Sequence, residues 1–457
     1  MTDPEPAVDR TRLAELYERE RDSFRQARPR SAALAEQSRR HMPGGVPMSW
    51  MVKWPGDFPV FVERAGGAHF TCVDGIDHVD LCLGDTGAMM GHSPAPTVAA
   101  VTAQLSRGIT TMLPTQDAIA VSAGLTERFG LPFWQYTLTA TDANRHAIRY
   151  ARHLTGRRKI VVHDYCYHGS VDEAFATLDD DGLTGDRRNN IGPPVPTSDT
   201  TRVVEFNDVE GLEKALAEGD VAAILVEPAL TNIGIVLPEP GYNEAVRDLA
   251  TRHGVILIND ETHTICAGPG GITRRDDLHP DFLVIGKSIG GGVPCGTFGF
   301  TAEVADRIAR SVELEDIDVG GIGGTLAGNG LSMAAMQATL EQVMTQAAFE
   351  HMIPLADAWA DGVQAAIDAT GAPWHVTRLG ARAEYAFSPE QPRNGRLAAE
   401  ADDFALQQYL HLHALNRGIL LTPFHNMALM SPATTAADVE AHTRMFAACL
   451  DELFGRG

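Results

Sequence analysis

The sequence has few lysines and lacks the features that mark several classes of protein. Asp and Glu number 60 against 37 Lys and Arg, so the formal net charge is −23, which argues against a nucleic-acid binder and against docking on an anionic membrane. Six dispersed cysteines without a Cys-x-x-Cys pair exclude a zinc ribbon and a disulfide scaffold, and they fit a reducing cytosol. Any chemistry that needs a primary amine must choose among four lysines: Lys53, Lys159, Lys214 and Lys287.

Long apolar runs are also absent. No stretch approaches the roughly 18 apolar residues of a membrane-spanning helix, and residues 1–6 are acidic, which indicates no signal peptide. We therefore expect a cytoplasmic protein with neither a membrane nor a nucleic acid as its partner. The chain does have length and apolar residues: 457 residues, of which 44% are hydrophobic, predict roughly two to four structural units, or one large domain with a lobe attached.

Short apolar runs alternate with amphipathic segments between about residues 95 and 300. This alternation indicates βαβ units, and so an α/β fold with a mostly parallel central sheet. Ligands bind at the carboxyl ends of strands in such sheets, so the residues directly after each run are candidates for a site. The predicted strands are 159–163, 222–226, 255–258 and 282–285, and the predicted helices between them are 210–219 and 242–253.

The two ends of the chain have a different pattern. Residues 10–40 predict one or two exposed helices, and residues 331–347 predict one long helix that leads out of the central part. The last hundred residues are predicted to be α+β, with a strand at 418–422 and a helix that begins with a capping box, Thr435-x-x-Asp438.

A turn-rich passage at 43–59 carries an unusual amount of large apolar surface for a loop. Its side chains either pack against the body of the protein or line a substrate entrance. The candidate entrance residues are Trp50, Met51 and Trp54.

Lys287 is the lysine whose surroundings favour chemistry. It follows the predicted strand at 282–285 and precedes a run of three glycines, where a poorly solvated ammonium favours the neutral, nucleophilic amine. The other three lysines lie in a basic turn, an exposed helix and a loop. Gly286-Lys287-Ser288 also matches the end of a Walker A phosphate loop, but that motif needs a glycine where this chain has Asp281.

A carboxylate is predicted to lie near this amine. Asp260 follows the apolar run at 255–258 and precedes Lys287 by 27 residues, which is one βαβ crossover. Asp260 could simply cap the next segment, but two adjacent parallel strands would present the acid and the amine in one crevice. A pyridoxal phosphate (PLP) enzyme needs this combination, because the lysine forms a Schiff base with the cofactor and the Asp keeps the pyridinium nitrogen protonated.

Other residues that follow strands could hold the same cofactor. Residues 139–144 open a predicted helix whose free amides form an anion site, although Thr and Asp are common helix caps in any case. Tyr167 and His168 could stack on the ring or form a surface turn, and Asn232 could donate to the phenolic oxygen. The candidate contacts are Ala140, Thr141, Tyr167, His168, Glu227, Asn232 and Thr325.

Together these motifs resemble the class III aminotransferases of the fold-type I PLP enzymes, and within them the glutamate-1-semialdehyde aminomutase-like subgroup. The resemblance extends from about Met42 to the last helix. It is carried by Asp260-Glu261, Ile285-Gly-Lys287-x-Ile-Gly-Gly-Gly-x-Pro294 and Gly324-Thr325-Leu-x-Gly-Asn329. It implies a division into N-terminal helices and an entrance loop (1–65), a large PLP-binding domain (66–335) and a small α+β domain (336–457).

The resemblance also implies a role for each matching residue. Lys287 would hold the cofactor and move a proton between Cα and C4′, while Asp260 pairs with the pyridine nitrogen and Tyr167 stacks on the ring. Ala140 and Thr141 would bind the phosphate. Thr325 would reach the phosphate of the cofactor in a neighbouring subunit, which implies a homodimer with shared sites. No metal is implied.

Two departures from the family pattern bear on the substrate. The usual Asp-Glu-Val becomes Asp-Glu-Thr262, which puts a polar atom beneath the ring, and His263 follows it. The aminomutases carry an Arg after the Met-Pro-Gly-Gly-Val segment that helps to hold the substrate carboxylate, but residues 47–54 contain no Arg. This disfavours the aminomutase itself and predicts a larger, more apolar pocket. Arg382 is a possible substitute clamp, and it equally fits a surface strand.

Three functions therefore stay open. The first is an aminotransferase that moves an amino group by ping-pong chemistry from an amine or amino acid, with a hydrophobic or aromatic side or a β-amino group, to a keto acid, ketone or aldehyde. The second is an aminomutase, racemase or decarboxylase that uses the same cofactor. The third is an α/β protein that binds a nucleotide or has no catalytic activity.

Overall fold

The computed structural model describes residues 8–455, so the acidic segment on which the signal-peptide prediction depends lies outside the described residues. Over the described part of the chain, none of the helices is both long and apolar enough to cross a membrane. The helices are α1 Arg10–Ala27, α2 Pro29–Ser38, α3 Ala95–Leu105, α4 Asp117–Phe129, α5 Ala140–Thr155, α6 Val209–Leu216, α7 Tyr242–His253, α8 Gly271–Arg275, α9 Ala302–Ser311, α10 Gly330–Gln342, α11 Gln346–Thr370, α12 Gly395–Glu400, α13 Phe404–Asn416 and α14 Ala436–Leu453.

The strands form two larger and two smaller sheets. They are β1 Val62–Gly66, β2 His69–Cys72, β3 Asp77–Asp80, β4 Phe133–Thr137, β5 Lys159–His163, β6 Ala176–Leu178, β7 Thr184–Asp186, β8 Thr201–Val204, β9 Val221–Val226, β10 Ile256–Asp260, β11 Phe282–Gly286, β12 Gly296–Phe300, β13 His375–Leu379, β14 Arg382–Ala386, β15 Ile419–Leu420 and β16 Met427–Leu429.

The chain divides into two compact units. The central unit comprises residues 95–346 and 392–400, and the terminal unit comprises the described parts of 1–94, 347–391 and 401–457. The three-part division expected from the sequence, with boundaries at 65 and 335, stays a prediction.

The central unit is built on a seven-stranded sheet in the order β4-β12-β11-β10-β9-β5-β8. All neighbouring pairs are parallel except those of β12, which runs antiparallel to both β11 and β4. Every residue of β9, β10 and β11 is buried, because strands covered on both faces leave no position for a solvated side chain. The predicted α/β fold with a mostly parallel sheet is confirmed.

Helix α5 packs on this sheet through its small residues. Ala143, Ala147 and Ala151 are all fully buried, which lets the helix approach the strands closely. Thr139 caps its N-terminus by accepting from the Asp142 amide, and Gly156 ends it in the left-handed conformation at φ +67°. The helix therefore begins at a defined point beside the carboxyl ends of the strands.

The terminal unit contains a four-stranded sheet, β1-β2-β3-β15, and a three-stranded sheet, β13-β14-β16. The predicted capping box at the start of α14 is present: Thr435 Oγ1 accepts from the Asp438 amide, and Asp438 Oδ2 accepts from the Thr435 amide at 2.8 Å. The strand predicted at 418–422 is shorter than expected, because only two residues pair with β3.

The long helix predicted at 331–347 is wrong, since the structure has two helices there. Helix α10 ends at Gln342 and α11 begins at Gln346. The Met344 amide donates to the Thr339 carbonyl, five residues back, at 2.8 Å. This wide turn ends the first helix, and β-branched residues at 343 and 345 do not favour continuing it.

Candidate active site

Lys287 lies directly after β11 in a strained backbone conformation. Its φ is +52°, in the left-handed region that residues other than glycine rarely adopt. Such strain is typical of functional sites, where the surrounding structure holds the residue in place. The preceding residue, Gly286, leaves little room for a side chain, because a Cβ there would lie 3.1 Å from both the amide nitrogen and the Cβ of Ala140. This close contact brings the start of α5 next to the lysine.

Asp260 ends β10, the parallel neighbour of β11, so the predicted adjacency of the two strands is confirmed. Its carboxylate is buried, with a set of donors around it. Oδ2 accepts from Asn144 Nδ2 at 2.8 Å and pairs with His168 Nδ1 at 3.0 Å, while Oδ1 accepts from the Thr262 amide at 3.1 Å. The site therefore holds a desolvated but well-partnered carboxylate.

The electrostatics of this carboxylate follow from its partners. Burial alone would raise the pKa of Asp260, but hydrogen bonds from His168, Thr262 and Asn144 lower it below its ordinary value. Burial likewise opposes the imidazolium of His168, yet the Cys166 sulfur and the Asp260 carboxylate raise its pKa to about 10. Asp260 is thus an anion that is paired with a cationic His168. A residue that holds a proton on a pyridine nitrogen must be an anion of this kind.

His263 lies beside Lys287. The Nε2 atom of His263 is 2.7 Å from Lys287 Nζ, which is hydrogen-bond distance. Both side chains are half-buried. The amine is therefore held by a second titratable group at the site.

The start of α5 provides the predicted anion site. Ala140 and Thr141 are the first two residues of the helix, so their amides have no carbonyl partner one turn earlier. Thr141 Oγ1 accepts from the Ser170 amide at 3.1 Å, and a Cβ on Gly169 would come within 2.1 Å of that oxygen. The loop after β5 is thus fitted tightly against the helix start.

The remaining predicted ring contacts lie at the ends of β5 and β9. Tyr167 is 39% exposed, and its amide donates to Glu227 Oε1 at 3.5 Å. Glu227 is buried, and burial raises its pKa. Asn232 donates from Nδ2 to the Tyr165 carbonyl at 3.0 Å. His168 was predicted as a contact of the cofactor ring, whereas in the structure its side chain lies against Asp260.

Thr325 lies in a glycine-rich loop on the central unit. It lines an open cavity of about 720 Å³, whose lining includes Tyr136, His146 and Arg149 but neither Lys287 nor Asp260. Arg149 donates to the Gly321 carbonyl of the same loop.

The predicted substrate residues belong to the terminal unit. Trp50 and Met51 lie in a short 3-10 turn followed by Trp54. Trp50 is 43% exposed, and its ring is nearly perpendicular to that of Phe424. The role of these residues in binding a substrate stays a prediction.

Arg382 is not a surface residue, so that alternative is wrong. It lies on β14 with 1% of its surface exposed, and it donates from Nη2 to Glu384 Oε2 at 2.9 Å. The same carboxylate pairs with His425 Nδ1 at 3.2 Å. Burial would raise the pKa of Glu384, but His425 and Arg382 lower it. The guanidinium is therefore already engaged in a buried ion pair, as a purely structural residue would be.

Reasoning from the sequence missed two residues of the site. His263 follows Asp260 by three positions in a turn, and Asn144 lies at a fully buried position one turn into α5. A polar residue among the buried alanines of an amphipathic helix is a signal for Asn144. No sequence pattern indicated that His263 would reach Lys287.

The chain's own residues fit the PLP cofactor. A buried carboxylate, an amine and a helix N-terminus lie at the ends of neighbouring elements, as the ring nitrogen, the aldehyde and the phosphate of the cofactor require. Asp260 is buried and accepts from three donors of the protein, so it is the kind of stable anion that a protonated ring nitrogen needs.

Comparison with known proteins agrees with this assignment. The family described as Aminotransferase class-III matches residues 51–450. A glutamate-1-semialdehyde 2,1-aminomutase of Nitratidesulfovibrio vulgaris is 33% identical over 419 residues, which are 90% of this chain and 96% of the relative.

Solved structures are similar over almost the whole chain. A glutamate-1-semialdehyde aminomutase from Pseudomonas aeruginosa PAO1 has a TM-score of 0.95 and 48% identity, covering 98% of this chain and 99% of that one, and a variant of it has been solved with PMP. A β-phenylalanine aminotransferase from Variovorax paradoxus has a TM-score of 0.83 and 28% identity, covering 96% of each chain.

Proposed function

The chain belongs to the class III aminotransferase family, and on that premise we propose that it moves an amino group between two carbons of one substrate, as a 2,1-aminomutase does. PLP is its cofactor. When bound, PLP provides an aldehyde that captures amines and a ring that accepts electrons from the substrate carbon. The intramolecular reaction is supported by the 48% identity to the Pseudomonas aminomutase.

The observation that carries the proposal is the position of Lys287 and Asp260 at the ends of adjacent parallel strands. In the proposed reaction, Lys287 Nζ holds the cofactor. Once the amine is released from the cofactor, it moves a proton at the substrate Cα. Asp260, ionised beside His168, holds a proton on the pyridine nitrogen. The amides of Ala140 and Thr141 bind the phosphate, and Tyr167 covers the ring.

Two measurements test the cofactor assignment. The purified protein should absorb at about 400–430 nm when loaded with PLP. Borohydride reduction should leave the cofactor covalently attached at Lys287. The variant Lys287→Ala should lose both signals, whereas Lys214→Ala, on an exposed helix, should keep them. An unchanged visible spectrum in Lys287→Ala would contradict the role of this lysine.

The reaction itself is tested with glutamate-1-semialdehyde, the substrate in the name of the relatives. An aminomutase converts it without any second substrate, because the amino group stays on the same molecule. Turnover should therefore be independent of added keto acids and amines. A strict requirement for a carbonyl acceptor would contradict the isomerase and favour an aminotransferase.

An aminotransferase is the second candidate. It is supported by the absence of Arg from residues 47–54, where Trp50, Met51 and Trp54 give an apolar loop, and by the similarity to the β-phenylalanine aminotransferase. We propose a hydrophobic or aromatic amine, or a β-amino acid, as the donor in this case. A panel of such donors with pyruvate should then release a keto product, and no conversion with any donor would exclude this candidate.

We further propose that two copies of the chain form a homodimer in the cytoplasm. The glycine-rich loop of Thr325 and the exposed Met112 and Leu113 surround the open cavity of the central unit, and an exposed apolar patch of this kind favours an interface. Light scattering should give twice the chain mass. Thr325→Ala should weaken PLP binding if this residue contacts the phosphate.

A further inference from the structure

The contact between His263 and Lys287 restricts how many protons the two side chains can hold. An ammonium has three N–H donors and no acceptor, whereas a neutral imidazole has one donor and one acceptor. At 2.7 Å between Lys287 Nζ and His263 Nε2, one proton must lie between the nitrogens. If both nitrogens carried a proton on this line, two N–H bonds would point at each other, so the contact fits one proton shared between the two side chains.

The backbone of His263 is fixed with respect to the strand that carries Lys287. The Glu261 amide donates to the Val284 carbonyl at 2.8 Å, which ties the turn after β10 to β11. The Glu261 side chain is buried and accepts from the Ile272 amide at 3.2 Å and the Thr273 amide at 2.5 Å. The turn that carries His263 is therefore tied to the strand that ends at Lys287.

The carboxylates of the same turn accept several hydrogen bonds. Asp260 uses both oxygens on Asn144, His168 and the Thr262 amide. Glu261 accepts from the neighbouring amides and from the Thr264 hydroxyl. His263 of this turn lies within hydrogen-bond distance of the lysine.

We propose that His263 is a positioning residue for Lys287 that also receives its proton. Before Lys287 can attack an aldehyde or accept a proton from a substrate, its ammonium must lose a proton, and this proton passes to His263. The step gives a neutral amine and an imidazolium, and the reverse transfer restores the ammonium. This inference rests on the proposed function, because it assigns a use to the released lysine.

The test measures attachment of PLP to the apoenzyme, which requires no substrate turnover. Rates come from the visible band and from borohydride trapping at Lys287. We expect His263→Ala to slow attachment on the order of 100-fold, which is the contribution typical of a general base. Added imidazole should restore a large part of the rate, because it can occupy the space left by the side chain and accept the proton.

His263→Gln separates hydrogen bonding from proton transfer. Its amide can hold the amine but does not take up a proton, so it should stay nearly as slow as His263→Ala and gain nothing from imidazole. His279→Gln, an exposed histidine of the same unit, is the control and should react at the normal rate. Normal attachment in His263→Ala or in His263→Gln, or no rescue by imidazole, would overturn the proposal.

Failure of the proposed function gives a different result. If the unmodified protein does not trap PLP on Lys287 at all, the cofactor role of that lysine is wrong. If trapping is normal in the unmodified protein and unaffected in the His263 variants, only the role of His263 is wrong.

Discussion

The imidazole of His168 donates from Nδ1 to Asp260 Oδ2 over 3.0 Å, and both side chains are almost completely buried. Removing one partner of such a pair leaves an uncompensated charge. His168→Ala should therefore destabilise the apoenzyme by about 3–5 kcal/mol near neutral pH. Denaturant unfolding measures this loss, and an unchanged midpoint would show that the pair does not carry the charge proposed.

The same pair predicts a pH dependence. The pKa of His168 is raised from its ordinary value of 6.5 to about 10, with burial opposing and Cys166 and Asp260 raising it. A raised pKa contributes stability that is complete below pH 6.5 and is lost as the pH rises through 10. The difference in unfolding free energy between the unmodified apoenzyme and His168→Ala should thus shrink from pH 6 to pH 10.

A matched control is available in His163. It is also buried, but burial, together with the charge of His168, lowers its pKa to about 3, and it pairs with the Tyr242 hydroxyl at 2.7 Å. His163 is neutral over the same pH range. His163→Ala should therefore destabilise the protein by an amount that does not change between about pH 8 and pH 10, above the range in which the unfolded imidazole titrates.

Asn144 holds the other side of the same carboxylate. Its Nδ2 lies 2.8 Å from Asp260 Oδ2 and 3.2 Å from the His168 carbonyl. Asn144→Ala removes one donor from a buried anion and should cost about 1–3 kcal/mol in unfolding experiments. Asn190→Ala is the control, because the Asn190 side chain makes a 3.4 Å hydrogen bond to the Phe175 carbonyl in a loop. This variant should cost much less, and equal losses would contradict the role of Asn144.

The positions of Asp260 and Lys287 could be predicted because they depend on a simple rule. Apolar runs mark the strands of a parallel sheet, and the residues after neighbouring strands meet at one edge. His263 and Asn144 could not be placed in this way, because their contacts depend on the turn after β10 and on the rotation of α5. The surface alternative for Arg382 was wrong, since alternation along a strand does not tell which face is covered by other elements.

A side chain at position 286 is expected to crowd the phosphate site. Alanine at this position would bring a Cβ within 3.1 Å of the Ala140 amide, and overpacking of this kind costs typically about 1–3 kcal/mol. Gly286→Ala should therefore weaken binding of PLP to the apoenzyme, as followed by fluorescence quenching. Gly124→Ala in α4, where nothing lies within 4 Å of the added atom, should instead stabilise the protein by about 1 kcal/mol. Unchanged PLP affinity in Gly286→Ala would contradict the tight contact.

Arg382 and Glu384 allow a decision between a substrate clamp and a structural ion pair. If the pair is structural, Arg382→Met should cost about 3–5 kcal/mol, because the buried Glu384 loses its guanidinium partner and keeps the hydrogen bond with His425. The double variant Arg382→Met with Glu384→Gln should recover most of that stability, since the uncompensated carboxylate is gone.

The kinetic result completes the argument about Arg382. A structural pair predicts that the stabilised double variant keeps the KM for a substrate with a carboxylate. A clamp predicts the opposite: KM for the carboxylate substrate rises by about tenfold or more, while an amine without a carboxylate is unaffected, because a bidentate charged hydrogen bond contributes roughly 1.5–3 kcal/mol. Since the guanidinium donates to Glu384 at 2.9 Å, we expect the first outcome.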